Sequence, residues 1–329
     1  MLIPNMWYAV LDSSEVKTRK PHAFKRLGEA LVCWRDAQGQ IVVMRDRCPH
    51  RSSQLSPGRL INGHIQCPFH GFEFDRDGAC RLIPANGRNG AVPQVFQCVT
   101  YPAREAHGYI WIWNGEPRSE YPPLPWFDDL DGFAYSTFQV RWDVDHTRAI
   151  EGLLDVSHLP FVHARTIGRD QKTLVNGPYT TLENDRIRVW LSNQPDEGLP
   201  ALKPSQLPPP SSTPNLLFNY PNVWQIRLGD RVRAVNVLAP VDDETTVVYT
   251  TTLIQLPRAR ALGPWVAAMF NVFNRYLLSE DHRVIRTQRP KVADLNVGER
   301  FIPADRPIAL YLQHRRDLIA GGAEGRLGT

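Results

Sequence analysis

Between Trp7 and about Trp113 the apolar residues fall in short runs separated by Gly, Asp and Asn. Runs of this length read as strands broken by turns, and segments 30–34, 41–45, 64–66, 72–74 and 108–113 are predicted strands. Asp36-Ala-Gln-Gly39 and Asp75-Arg-Asp-Gly78 supply turn chemistry between them. The same short-run pattern returns at 134–142, from 180–181 onward, and at 187–191, 223–227, 232–238 and 245–253. The last third changes period. Val266, Met269, Phe270, Phe273 and Leu277 recur at three- and four-residue steps, predicting a helix over 262–285 with that stripe toward the core. A second, shorter helix is expected over 308–319.

Two proline-rich stretches punctuate this pattern. Residues 116–126 hold four prolines and little periodicity, as a semi-rigid linker does, so the expected domains are 1–117 and 118–329. Residues 203–215 hold five prolines and three serines; a loop of that length is expected to serve as a lid or access loop.

Composition adds little beyond exclusions. Apolar residues make up 42% and charged residues 22%, the balance of an ordinary globular protein. The net charge of +4, mostly evenly spread arginine, is too mild to argue for nucleic acid. A basic patch could steer an acidic electron-transfer partner, although solvated surface is the plainer reading. No apolar run approaches the ~20 residues that a membrane-spanning helix needs. Met1 to Val10 lack the basic and then apolar pattern of a signal peptide. The five cysteines are a poor disulfide framework, and a reducing, cytoplasmic setting is expected.

Two cysteines instead sit in metal-like spacings. Cys48-Pro-His50-Arg51 is followed sixteen residues after His50 by Cys67-Pro-Phe-His70-Gly71. Each half offers one thiolate and one imidazole from a short turn. Two thiolates on one iron and two imidazoles on the other make a Rieske-type [2Fe–2S] cluster. A tetrahedral Cys2His2 zinc site uses the same ligands, but a single residue between paired ligands is unusual for it. Cys33, Cys80 and Cys98 fit no ligand position and read as structural thiols.

A second constellation lies in Glu151-Gly-Leu-Leu-Asp155-Val-Ser-His158-Leu-Pro-Phe-Val-His163. Asp155 and His158 would share a helix face, and a kink or break at Pro160 could bring His163 to His158. Two imidazoles need a carboxylate to form the facial triad of a non-haem Fe(II) site, which leaves positions open for O2. Asp281, four residues after Leu277 on the apolar stripe, is the candidate. Glu280 is the rival but points off the stripe. Asp155 can bond the second nitrogen of His158 and fix its tautomer.

C-x-H-x16-C-x2-H, with Pro49, Arg51, Gly71, Phe72 and Phe74 around it, resembles the N-terminal domain of Rieske non-haem iron oxygenases. The Gly108-Tyr-Ile-Trp-Ile-Trp113 strand is similar to the one closing that domain. Residues 152–166 and the Glu280-Asp281 pair look like the catalytic domain of the oxygenase component (alpha subunit). The vanillate and dicamba O-demethylase branch is most similar, over essentially the whole chain. Gly152 departs from the pattern, since many members carry Asn there.

The resemblance implies an α+β fold. A β-sandwich Rieske domain would precede a catalytic domain with an antiparallel sheet and helices, helix-grip or START-like. It implies O2- and NAD(P)H-dependent monooxygenation, including oxidative O- or N-demethylation, of a small aromatic substrate. Electrons would come from a separate reductase or ferredoxin, since no G-x-G-x-x-G unit is present. It also implies a homotrimer in which Asp155 bridges to the Rieske histidine His70 of a neighbouring copy. Ring cis-dihydroxylation is the alternative activity, and a pure Rieske electron carrier a further one. Asn236, Leu154 and Phe270 are the candidate substrate contacts.

Overall fold

The computed structural model describes residues 1–257 and 259–327, with residues 322–327 described by backbone alone. The chain divides into two compact units, Asn5–Pro122 and Met1–Pro4 with Pro123–Thr329, so the division falls inside the proline-rich stretch.

The first unit is built of three small antiparallel sheets. Met6–Asp12, Tyr109–Asn114 and Ala103–Ala106 form one, in that order. His22–Arg26, Glu29–Arg35, Ile41–Arg45 and Thr100–Tyr101 form the second; Arg59–Ile61, His64–Gln66, Glu73–Phe74 and Cys80–Leu82 form the third. Both expected Asp–Gly turns are present: Gly39 N–H donates to the Asp36 carbonyl at 3.0 Å and Gly78 N–H to the Asp75 carbonyl at 3.1 Å. Each Asp side chain also accepts backbone N–H groups within its own turn, which is why Asp suits these positions. Val32, Trp34, Leu55, Ile65, Phe72 and Phe74 form one buried cluster, into which Cys48 and Cys67 are packed.

The second unit carries a seven-stranded antiparallel sheet. Its order is Ala134–Trp142, Thr245–Ile254, Val232–Asp242, Val223–Arg227, Leu216–Asn219, Arg186–Trp190 and Tyr179–Glu183. Among the described residues four α-helices accompany it: α1 (His146–Leu154), α2 (Leu159–Val162), α3 (Gly263–Ile285) and α4 (Arg306–Leu327). The last is longer than the expected 308–319, and the α+β class stands as expected.

Helix α3 lies on Ala134–Trp142 and Thr245–Ile254, but not by the stripe the sequence suggested. Gly263, Ala267, Asn271, Leu278, Asp281 and Ile285 are its buried positions. Met269 is 74% exposed, and Phe270 and Phe273 are also exposed. Small residues turn inward because the helix sits close to the sheet: a Cβ on Gly263 would come within 2.3 Å of the Ala134 Cβ. No helix among the described residues is long and apolar enough to cross a membrane.

Candidate metal centres

In the first unit, the two Cys-His halves come from turns that the backbone closes on itself. Ser52 N–H donates to the Cys48 carbonyl at 2.9 Å, and Gly71 N–H to the Cys67 carbonyl at 3.0 Å. The two turns face each other. Cys67 lies beside Cys48, and the His50 and His70 ring centroids are 4.6 Å apart. Burial pushes the Cys48 thiol up to about 11, while the backbone N–H groups of His50 and Arg51, aimed at its sulfur, act in the opposite sense. Phe72 stacks on His50 at 4.7 Å. The buried Nδ1 of His50 has no hydrogen-bond partner among the described residues. Paired thiols, paired imidazoles and that unpartnered nitrogen fit a [2Fe–2S] cluster. Cys33, Cys80 and Cys98 are buried free thiols, and Cys80 and Cys98 share the core cluster that holds Cys48 and Cys67.

In the second unit, the approach to the other candidate ligands differs from expectation. Helix α1 starts at Asp145, whose Oδ1 accepts Thr147 N–H at 2.8 Å. It stops at Leu154 because Asp155 leaves helical geometry, and its Oδ1 accepts Ser157 N–H at 2.7 Å and His158 N–H at 3.2 Å. The break therefore falls at Asp155–Ser157 and not at Pro160, which sits in the first turn of α2, where proline is tolerated. His158 precedes α2 and His163 follows it.

The two imidazoles converge on Asp281. Its Oδ1 is 3.5 Å from His158 Nε2 and 2.9 Å from His163 Nε2. One ligand atom from each of the three residues lies within 4.8 Å of the others. Asp281 is only 7% exposed. The second nitrogens also face carboxylates: His158 Nδ1 is 3.9 Å from Asp155 Oδ1, and His163 Nδ1 is 2.9 Å from Glu280 Oε2. Burial opposes a charged His163 ring, but Asp281 and Glu280 on its two nitrogens raise its pKa. Burial also opposes ionisation of Asp155, yet its bonds to His158 and Ser157 hold that carboxyl below the usual range.

Glu280 is thus a supporting group that the sequence reading set aside as a rival ligand. It also accepts from Thr166 Oγ1 at 3.0 Å. Its adjacency to Asp281 was the available signal, since consecutive helical residues can reach the two nitrogens of one ring. Two imidazoles and one carboxylate converging from one side, with carboxylates behind both rings, fit a divalent iron.

A cavity of about 180 Å³ adjoins this group, and Asn236 and Phe270 line it. Leu154 does not: it is fully buried, and its neighbour Leu153 takes the wall position, because the helix turns Leu154 into the core. No residue of 203–215 lines this cavity, contrary to the expected lid. A second, more polar cavity of about 360 Å³ shares Asp155, His158 and Asp281 and is also bounded by Glu151, Glu299 and Arg300.

Comparison with known proteins matches both units to known families. Residues 6–102 match the Rieske [2Fe-2S] domain model, and residues 142–320 match the vanillate O-demethylase oxygenase C-terminal domain model. The chain therefore belongs to the Rieske non-haem iron oxygenases with a vanillate O-demethylase-type C-terminal domain. The chloroacetanilide N-alkylformylase oxygenase component of Rhizorhabdus wittichii is 35% identical, over 57% of this chain and 54% of that one. The dicamba O-demethylase oxygenase component of Stenotrophomonas maltophilia is 35% identical, over 49% and 48%. The chain spans between a quarter and about half of the length of the curated relatives it matches. Among solved structures, NdmA of Pseudomonas putida CBB5 superposes with a TM-score of 0.79 at 25% identity, covering 97% of this chain and 92% of that one. Dicamba monooxygenase bound to 3,6-dichlorosalicylic acid shares the fold, with a TM-score of 0.79 at 22% identity, covering 98% and 99%.

Proposed function

We propose that the chain is the terminal oxygenase component of a multicomponent system that hydroxylates a small, largely apolar substrate with O2, in the monooxygenase and demethylase sense. The observation that carries this reading is the meeting of His158, His163 and Asp281 beside an apolar cavity, in a chain that also holds paired Cys-His turns. Cys48, His50, Cys67 and His70 would hold the cluster, and His158, His163 and Asp281 the mononuclear Fe(II). When bound, these groups supply electron transfer and O2 activation.

The residues around them have separate tasks. Glu280 bonds the far nitrogen of His163 at 2.9 Å, and the Asp155 carboxylate faces Nδ1 of His158 at 3.9 Å, so that each ring presents its Nε2 to the metal. Leu153, Trp224, Phe270 and Phe273 exclude water and hold an apolar ring beside the triad. Asn236 is a polar anchor among them. Electrons would arrive from NAD(P)H through a separate reductase or ferredoxin. His70 is exposed, and Asp155 retains 29% side-chain exposure. Both features support a homotrimer in which Asp155 bridges to His70 of a neighbouring copy. That two relatives are a chloroacetanilide N-alkylformylase and a dicamba O-demethylase supports monooxygenation over ring dihydroxylation.

Replacing Asp281 with Ala tests the reading. The variant is expected to lose the mononuclear iron and all turnover while keeping the absorption of the cluster. Substrate-coupled O2 uptake at the wild-type rate would overturn it.

A further inference from the structure

The cavity beside the triad has walls of Leu216, Trp224, Ile226, Phe270, Phe273 and Leu277. Its volume of about 180 Å³ is of the order of an apolar cavity that admits one benzene ring. Among the described residues no Lys or Arg lines it. Its carboxylates are Asp155 and Asp281, whose two charges would offset a divalent cation held by His158, His163 and Asp281.

Thr250 and two asparagines, Asn236 and Asn274, supply the remaining polarity, and hydrogen-bond direction fixes what each asparagine offers. The Ser136 backbone carbonyl can only accept, and it takes Asn271 Nδ2–H at 3.2 Å. Asn271 Oδ1 therefore accepts, and Thr252 Oγ1 donates to it at 2.6 Å. The Thr252 oxygen in turn accepts Asn274 Nδ2–H at 2.7 Å. Asn274 Oδ1 has no hydrogen-bond partner among the described residues and remains as an acceptor on a residue that lines the cavity. On the sheet side, Thr250 Oγ1 donates to Asn236 Oδ1 at 2.7 Å, across the pairing of Val232–Asp242 with Thr245–Ile254. Asn236 is 4% exposed, and its Nδ2 has no partner among the described residues.

We infer that this cavity selects an uncharged single-ring substrate that gives an N–H or O–H to Asn274 Oδ1 and accepts from Asn236 Nδ2, a neutral aromatic amide being the simplest. The inference rests on the proposed oxygenase reading of the site. A carboxylate or sulfonate in this cavity would meet no Lys or Arg, two carboxylates beside the triad and an acceptor oxygen at Asn274. Desolvating it would go uncompensated. A neutral amide satisfies both orphaned amide ends and leaves its ring to the apolar walls.

The test is isothermal calorimetry on the iron-loaded protein with 3-methoxybenzamide, 3-methoxybenzoate and methoxybenzene. The amide is expected to bind most tightly, with the benzoate weaker by about a hundredfold or more. Asn274→Leu should weaken the amide by about tenfold and leave methoxybenzene unchanged. A benzoate that binds as tightly as the amide overturns the inference, as does an amide that binds no better than methoxybenzene or not at all. Iron content and the cluster's EPR signal on the same preparation keep the two readings apart. Their absence defeats the oxygenase reading, whereas a benzoate preference in a fully loaded protein defeats this one.

Discussion

His163 is held from both ends, by Asp281 on Nε2 and Glu280 on Nδ1, and Glu280 is fixed in turn by Thr166. Removing the outer carboxylate while keeping its shape isolates the contribution of that second bond. Glu280→Gln is expected to weaken iron binding at the triad by about 10- to 100-fold, read by chelator competition, with the cluster unaffected. Unchanged affinity would show that Glu280 is only a neighbour. Gly152 makes a different kind of contact, since a Cβ there would lie 2.3 Å from Ile285 Cδ1. Gly152→Ala should cost about 1–3 kcal/mol in thermal unfolding, and Ile285→Val in the same chain should recover part of it. If the double variant melts no higher than Gly152→Ala, the contact is not the cause. Ile285 fills the space that a larger residue 152 would need. At this scale the paired Cys-His turns were legible, because each pair of ligands lies within one turn. Glu280 was not, because helical phase alone set Asp281 inward and said nothing of a neighbour reaching around the same ring.

Helix α3 shows where hydrophobic periodicity misleads. Val266, Met269, Phe270, Phe273 and Leu277 formed the most apolar stripe in the sequence, yet Gly263, Ala267, Asn271, Leu278, Asp281 and Ile285 face inward. Close approach to the sheet demands small residues, and the large apolar ones serve the cavity wall or remain exposed. Asp281 was correctly placed inward although its supposed stripe was not the buried one. Ala267→Leu is expected to push α3 off the strands, costing about 1–3 kcal/mol and lowering iron content at the triad. Met269→Ala on the exposed side should change stability by about 0.5 kcal/mol at most and leave iron unchanged. Equal effects at the two positions would contradict this assignment of faces. The 145–163 segment carries the same lesson. Proline suggested a break at Pro160, but the side chain of Asp155 took the backbone N–H groups first and ended α1 earlier.

On the scale of the whole chain, the β-rich first unit and the sheet-and-helix second unit were legible from the change in apolar period and the intervening prolines. Strand bounds shifted by a few residues, and Met6–Asp12 and His22–Arg26 were not named. Leu216–Asn219 was also missed, because it follows directly on the proline-rich loop and has no alternation of its own: all four positions are buried. In the proposed function chemistry joins the two units, a cluster that would take electrons and a triad that would hold the iron for O2. That pairing is the central claim, and EPR of the dithionite-reduced protein, with iron counted per chain, tests it most directly. The account predicts a low-average-g Rieske signal with two irons from the cluster and one from the mononuclear site. In Asp281→Ala the signal should persist while the third iron disappears. A silent spectrum with zinc in place of iron, or a third iron indifferent to Asp281, would contradict it.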